Sequence, residues 1–339
     1  MKIKDIYARE ILDSRGNPTI EVKVTLDNLS IGIASIPSGA STGSKEALEL
    51  RDNNPDRYNG KGVLKAVENI NTIIRDRLVG EEINQRNIDN ILIKMDGTIN
   101  KRHLGANALL GVSLAILKAA AISHNKELYE YVSNGKVTLP IPMINIINGG
   151  MHAQNNLDIQ EFMIIPIVKS FKERLRVAAE IFHNLKSILK SRNLVTSVGD
   201  EGGFAPDLAS NEEAIEVIIE AIKKSGYIPG KQVYIALDVA ASSFYIEAED
   251  KYLFEGNKIN SSELIDYYLK LINKYPIISI EDAFDENDVA SMIELTKELG
   301  KRILLVGDDF FVTNKKYLQD GINQKYCNAI LLKPNQIGT

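Results

Sequence analysis

Apolar and polar side chains alternate along residues 20–26, and this two-residue period is that of a β-strand with one buried face. The segment before it, residues 13–18, reads Asp-Ser-Arg-Gly-Asn-Pro, a composition typical of a turn. We therefore predict that residues 3–12 and 19–26 form a pair of antiparallel strands.

Helical spacing of apolar residues marks two further segments of the N-terminal part. Residues 61–78 place valine and isoleucine on one face, as in an amphipathic helix, and residues 106–122 are apolar on nearly every face, which indicates a buried helix. Two prolines then stiffen the connection over residues 139–142. We place a domain boundary there, with an α+β domain over residues 1–138 and a second domain over residues 139–339.

After residue 142, short apolar runs alternate with amphipathic helical stretches, which is the pattern of βα units in a parallel sheet. The runs are apolar on both sides of the pleat, so both faces of the sheet are expected to be buried. The predicted strands are residues 143–148, 161–167, 233–239, 277–282, 303–309 and 328–333. The predicted helices are residues 171–190, 211–225, 261–273, 288–299 and 314–321.

Each of the last four predicted strands ends in charged residues, which include Asp238, Glu281, Asp308 and Lys333. In a (β/α)₈ barrel the carboxyl ends of the strands converge on one face, where the active site lies. We therefore expect three carboxylates and one lysine to share a pocket. Carboxylates that lie close together repel one another unless some are protonated or all share a cation. Oxygen ligands without cysteine or clustered histidine favour Mg²⁺, whereas the alternative is that the acids cap helices or form ordinary ion pairs.

Lys333 has two possible roles. Burial beside a divalent cation shifts a lysine towards its neutral form, which is a competent general base, and the alternative is a salt bridge with one of the carboxylates. Glycines surround Glu201 and permit close approach of its loop to a ligand. His152 lies on a loop after the first barrel strand, and the role of Glu161, at the start of a strand, stays open. Residues 38–43 form either a surface turn or a lid over the site.

Composition narrows the classes of function. The chain has 40 Lys and Arg against 45 Asp and Glu, a net charge of −5, so it lacks the basic surplus of nucleic-acid-binding proteins. One cysteine, Cys327, excludes a disulfide framework and fits a reducing compartment. The N-terminus is unlike a signal peptide, and the longest nearly apolar stretch, residues 108–117, is shorter than the about 20 residues that span a bilayer. We expect a soluble, cytoplasmic protein without nucleic-acid or membrane partners.

A metal-held carboxylate substrate, a lysine base and a separate glutamic acid define a reaction class, which is proton abstraction next to a carboxylate followed by loss of a β-hydroxyl. Several long motifs, in colinear order, resemble those of the enolase family: DSRGNPT, PSGASTG, QEFM, GDEGG, SIED, GDD and LKPNQIGT. The resemblance implies a small α+β domain followed by an enolase-type (β/α)₈ barrel. It also implies the Mg²⁺-dependent, reversible dehydration of 2-phospho-D-glycerate to phosphoenolpyruvate in glycolysis and gluconeogenesis. Ala283 departs from the family, which usually has proline there.

The resemblance also implies two Mg²⁺ ions per active site. The first would be bound by Asp238, Glu281 and Asp308, and Ser41 would help to bind the second. The common assemblies of the family are homodimers and octamers built from dimers, so a homo-oligomer is expected.

Roles for the remaining residues follow from the same resemblance. Lys333 would take the C2 proton of a phosphorylated hydroxy acid, and Glu201 would assist departure of the hydroxyl group, with Glu161 beside it. His152 and Gln160 would line the substrate site.

Six predicted strands fall short of the eight of a closed barrel, so we expect an enolase-type barrel that lacks its last two strands. The Ser-His-Arg-Ser motif and second active-site lysine of the family do not occur in these 339 residues. Three hypotheses follow. The chain is an enolase completed by a separate C-terminal segment, a catalytically impaired enolase-like binding protein, or a related enzyme for another hydroxy acid.

Overall fold

The computed structural model describes residues 1–39, 43–199 and 201–339. Ser41, predicted to help bind a second metal ion, lies outside these residues. The chain forms two compact units. The first comprises Met1–Thr138, Val312–Asn314 and Leu332–Thr339, and the second comprises Leu139–Phe311 and Lys315–Leu331.

A three-stranded antiparallel sheet forms one layer of the first unit, in the order β1 (Ile3–Leu12), β2 (Pro18–Leu26) and β3 (Ile31–Ser35). The predicted pairing of the first two strands is confirmed, with Ala8 opposite Val22. Their turn depends on Gly16, whose φ of 76° favours glycine. The third strand was not predicted.

Helices complete the first unit, and some of them cover the buried face of this sheet. They are α1 (Leu64–Asn69), a π-helical turn (Ile70–Ile74), α2 (Arg75–Leu78), α3 (Gln85–Asp96), α4 (Ala106–Ser123) and α5 (Leu128–Val132). Both predicted helices are confirmed, the first as a run interrupted by the π-helical turn. By length and composition α4 is apolar enough to cross a membrane, and 72% of it is buried within the structure. At Gly32 a Cβ would lie 2.1 Å from the Ala115 carbonyl oxygen, so only glycine lets β3 approach α4 this closely.

The loop between α3 and α4 is organised by the buried carboxylate of Asp96. It accepts hydrogen bonds from the backbone N–H groups of Leu104, His103 and Thr98 at 2.7, 3.0 and 3.0 Å, and from the Thr98 hydroxyl. Burial opposes ionisation of this carboxyl, but the donors outweigh it, so the pKa of Asp96 is lowered. The ionised carboxylate therefore stabilises the first unit.

Replacing Asp96 with asparagine is expected to lower the free energy of unfolding of the first unit by about 2 kcal/mol, because the amide group would face backbone donors. The difference should shrink as pH falls below about 4, since stability from a lowered pKa is lost on protonation. Urea unfolding with hydrogen exchange over residues 96–105 measures it.

Asp89→Asn provides the matched control. Burial, opposed by hydrogen bonds from Ser113 and Gln85, raises the pKa of Asp89. Removing its charge should therefore cost little stability at neutral pH. Equal losses in the two variants would contradict the role given to Asp96.

A six-stranded sheet forms the centre of the second unit. Its strands are β4 (Ile144–Asn148), β5 (Glu161–Pro166), β6 (Val233–Asp238), β10 (Ile277–Glu281), β11 (Leu304–Gly307) and β12 (Ala329–Ile330). Their spatial order is β12-β11-β10-β6-β5-β4, and the predicted strands are confirmed within a few residues. Within the described part of the chain, β12 and β4 are the two edges of this sheet.

The parallel sheet that the sequence predicts contains one antiparallel strand. β5 runs antiparallel to both of its neighbours, β4 and β6, while β10, β11 and β12 continue parallel to β6. The chain between β4 and β5 contains only a short 3₁₀ turn, Gly150–His152. An antiparallel connection needs no crossover helix, whereas a parallel one does.

The helices of the second unit are α6 (Phe171–Ser191), α7 (Asn211–Lys224), α8 (Ser261–Lys274), α9 (Val289–Leu299) and α10 (Lys315–Gln324), and all five were predicted. Ser170, Ser210 and Asn260 cap the first three by accepting a hydrogen bond from the backbone N–H three residues ahead. A small unpredicted sheet consists of β7 (Tyr245–Ile246), β8 (Lys251–Phe254) and β9 (Asn257–Ile259). Helices and sheet share one apolar core, which includes Phe162, Leu237 and Ile280.

Candidate active site

One row of polar residues crosses four neighbouring strands of the second unit. Asn148 pairs in register with Glu161, Glu161 with Asp238, and Asp238 with Glu281. Glu161 begins its strand, whereas the other three end theirs. Because β5 runs in the opposite direction, Glu161 lies at the same end of the sheet as the other three residues. The sequence had left its position relative to them open.

The three predicted metal ligands lie at the ends of adjacent strands. Asp238 ends β6, Glu281 ends β10 and Asp308 follows β11 directly. Their exposed fractions are only 6%, 8% and 8%. Each acid follows an apolar run that is buried in the sheet, and so the fold carries these carboxylates out of water. Burial of several carboxylates at one end of the sheet favours a bound cation.

Gln160 holds the carboxylate of Asp238. Its side-chain Nε2 donates to Asp238 Oδ2 at 2.9 Å, and its backbone N–H donates to the Asp238 carbonyl at 3.0 Å. Gln160 is 5% exposed, so this contact is shielded from water. The residue predicted to line the substrate site therefore also fixes the orientation of a predicted metal ligand.

His152 lies against Glu161. Its Nδ1 is 3.3 Å from Glu161 Oε1, and the imidazole is buried. Potential ligand atoms of His152, Glu161 and Glu201 all lie within 4.8 Å of one another. The structure thus brings together three residues that the family resemblance assigns to the active site.

Glycines allow the loops of this cluster to pack closely. A Cβ on Gly203 would lie 2.6 Å from the Asn148 Oδ1, and one on Gly199 would lie 2.3 Å from its Nδ2. A Cβ on Gly149 would lie 2.5 Å from the Ile159 carbonyl oxygen. Larger residues would push the Glu201 loop away from the end of β4.

Glu161 raises the pKa of His152. Burial lowers the pKa of the imidazole, but the ion pair with Glu161, aided by Glu201 and Asp238, outweighs burial and raises it. Glu161→Gln is therefore expected to lower the pKa of His152, because burial persists while the closest negative charge is removed. Nuclear magnetic resonance titration of the four histidine imidazoles measures this change.

Glu180→Gln removes a partly buried charge that pairs with Arg176 on α6, and as the control for that titration it should leave the pKa of His152 unchanged. His124, which is exposed and lies in the first unit, provides an internal reference in both variants. A pKa of His152 that is equal in Glu161→Gln and in the wild type would contradict the proposed coupling.

Two acids beside the predicted ligands were missed. Carboxylate oxygens of Asp282, Asp308 and Asp309 lie within 4.8 Å of one another. Burial, reinforced by the charges of Asp309 and Asp308, raises the pKa of Asp282 well above its ordinary value, although a backbone donor opposes the shift. Both missed acids directly follow a predicted ligand in the sequence, but apolar patterning does not show which way their side chains point.

Lys333 belongs to the first unit, as do the described parts of the predicted lid. Its backbone N–H donates to the Thr313 hydroxyl at 2.8 Å, and the 3₁₀ turn Pro334–Gln336 follows it. A cavity of about 380 Å³ in this unit is lined by Ser38, Gly39 and Asn335, among others. Two segments that the sequence singled out therefore border one cavity.

A small α+β unit and a larger α/β unit define a two-domain α/β protein. Its buried acids lie at strand ends, which is where barrel enzymes carry their active sites. Residues 3–132 match the family model described as Enolase, N-terminal domain, and residues 136–339 match Enolase, C-terminal TIM barrel domain. These matches span nearly the whole chain. The chain belongs to the enolase family.

Proposed function

We propose that this protein catalyses the reversible, Mg²⁺-dependent dehydration of 2-phospho-D-glycerate to phosphoenolpyruvate. The observation that carries the proposal is the set of three buried carboxylates at the ends of adjacent strands in a chain of the enolase family. An all-oxygen donor set of this kind fits Mg²⁺, so Asp238, Glu281 and Asp308 would hold the ion. When bound, Mg²⁺ supplies Lewis-acid stabilisation of negative charge on the substrate.

The chain's own residues would perform the proton transfers. Lys333 Nζ takes the proton from C2, which leaves negative charge on the substrate. Glu201 then gives a proton to the C3 hydroxyl, which departs as water while the C2–C3 double bond forms. His152 and Glu161 would line this part of the site, and Gln160 would hold Asp238 in place.

The remaining expectations are also proposals. Ser41 would help to bind a second Mg²⁺. The protein would function as a homodimer or larger homo-oligomer in the cytoplasm, with a phosphorylated hydroxy acid as its small-molecule partner.

The direct test is an assay of phosphoenolpyruvate formation by ultraviolet absorbance, with 2-phospho-D-glycerate and Mg²⁺. We expect product with Mg²⁺ and none after chelation. The assay is run on the chain alone and with the C-terminal segment of an enolase added as a separate polypeptide. No turnover under either condition would overturn the proposal, and retained Mg²⁺ binding would then favour an enolase-like binding protein.

A further inference from the structure

We propose that Asp282 is the positioning residue of the acidic site, which holds the ends of β6, β10 and β11 in the arrangement that lets their carboxylates share one cation. The inference rests on the proposed metal site. Asp282 directly follows the predicted ligand Glu281, but its proposed role is to position the ligands and not to bind the ion. Each of its polar groups contacts a neighbouring strand end.

The backbone of Asp282 ties three strands together. Its N–H donates to the Val306 carbonyl in β11 at 3.0 Å, and its carbonyl accepts from Ala241 N–H, just after β6, at 3.1 Å. Asp282 itself follows the last residue of β10. The strands that end in Asp238 and Glu281 and the strand that precedes Asp308 are therefore joined at one residue.

The side chain continues the connection beyond the sheet. The ladder between β10 and β11 ends at the pair Glu281 and Val306. From there Asp282 Oδ1 accepts from Asp308 N–H at 2.9 Å and Oδ2 accepts from Asp309 N–H at 2.8 Å. Beyond the last backbone pair of β10 and β11, the Asp282 carboxylate therefore accepts the hydrogen bonds that a neighbouring strand would otherwise accept. These bonds fix the position of the Asp308 backbone and so of its side chain.

The backbone conformation of Asp282 limits which residue can do this. Its φ is 43°, in the left-handed region, and the residue is 4% exposed. Glycine adopts this conformation most readily but has no side chain, while aspartate and asparagine tolerate it better than most residues. Only aspartate among these offers two oxygen acceptors. The site therefore retains a strained residue for its two acceptors.

Both oxygens of Asp282 already accept a backbone hydrogen bond, which favours a supporting role over direct ligation. Groups that orient metal ligands typically change metal affinity 10–100-fold when replaced. We therefore expect Asp282→Asn to weaken Mn²⁺ binding by about 10–100-fold, as measured by electron paramagnetic resonance of free Mn²⁺. Asparagine keeps one acceptor but turns an N–H₂ group towards a backbone donor.

A second variant separates positioning from general loss of stability. Asp282→Gly relieves the left-handed strain yet removes both acceptors, so it should lose Mn²⁺ affinity to a similar extent. Asp96→Asn removes another buried carboxylate that accepts backbone hydrogen bonds, in the first unit, and should bind Mn²⁺ like the wild type.

Hydrogen exchange in the metal-free protein separates positioning from direct metal ligation. If Asp282 acted only as a metal ligand, its replacement would not change amide exchange rates in the absence of metal. Positioning predicts faster exchange of the Asp308 and Asp309 amides in both Asp282 variants. Unchanged exchange, or Mn²⁺ affinity within two-fold of the wild type, would overturn the role of Asp282. If Glu281→Gln also left Mn²⁺ binding intact, the proposed metal site itself would be wrong, so the two failures are distinguishable.

Discussion

Glu281→Gln is expected to weaken Mg²⁺ binding by more than about 100-fold and to reduce phosphoenolpyruvate formation to the level seen with chelator. Replacing groups that only support a ligand already costs 10–100-fold, and Glu281 is proposed to bind the ion directly. Among the three predicted ligands Glu281 ends the middle strand, in register with Asp238 and next to the strand that precedes Asp308. Glutamine keeps the volume and one oxygen acceptor, so the change tests the charge. Titration with Mn²⁺ and the absorbance assay measure the two effects.

Glu298→Gln is the matched control, since it removes the same charge from an exposed position on α9 in the same unit. It should bind Mn²⁺ and turn over substrate like the wild type. The thermal midpoint of Glu281→Gln should be equal to or above that of the metal-free wild type, because one buried negative charge is gone. A Glu281→Gln protein that is folded and binds the ion normally would contradict the ligand role.

The direction of a strand could not be predicted from the pattern of apolar residues. The alternation of side chains in β5 is the same whichever way the strand runs, so residues 161–167 could be identified as a strand but not oriented. A usable signal was the connection over residues 149–160, which contains no α-helix. Because direction decides which end of a strand reaches the acidic end of the sheet, the unknown direction left the role of Glu161 open.

Short elements were missed for a related reason. β3 buries Gly32 and Ala34 and exposes its two isoleucines, so its apolar pattern is the reverse of its burial. β7 to β9 have between two and four residues and are interrupted by charged residues, whereas the equally short β11 and β12 lie in longer apolar runs. The acidic strand ends were identified because a charged residue directly after an apolar run can be recognised from the sequence alone. Asp282 was not singled out, since its φ of 43° and its contacts with Asp308 and Asp309 arise only when the strands are side by side.

Lys333→Met and Glu201→Gln are expected to separate the two halves of the proposed reaction. A proton taken from C2 by Lys333 would be replaced by solvent deuterium whenever the charged intermediate returns to substrate. Lys333→Met should therefore lose deuterium incorporation at C2, and its dehydration rate should fall by about 10²–10⁴-fold. Glu201→Gln should lose dehydration to a similar degree but keep the exchange, since the first proton transfer does not use it.

The measurement is mass spectrometry of 2-phospho-D-glycerate recovered from D₂O, beside the absorbance assay, under whichever condition supports turnover. Lys297→Met, an exposed lysine on α9, is the control for loss of positive charge and should exchange and dehydrate normally. The two transfers are assigned to different residues, so the two variants must give different exchange results. If both lose exchange equally while each still binds substrate, a single residue governs both steps and the division of roles is wrong. If Lys333→Met keeps exchange, the base lies elsewhere and the resemblance misassigns it.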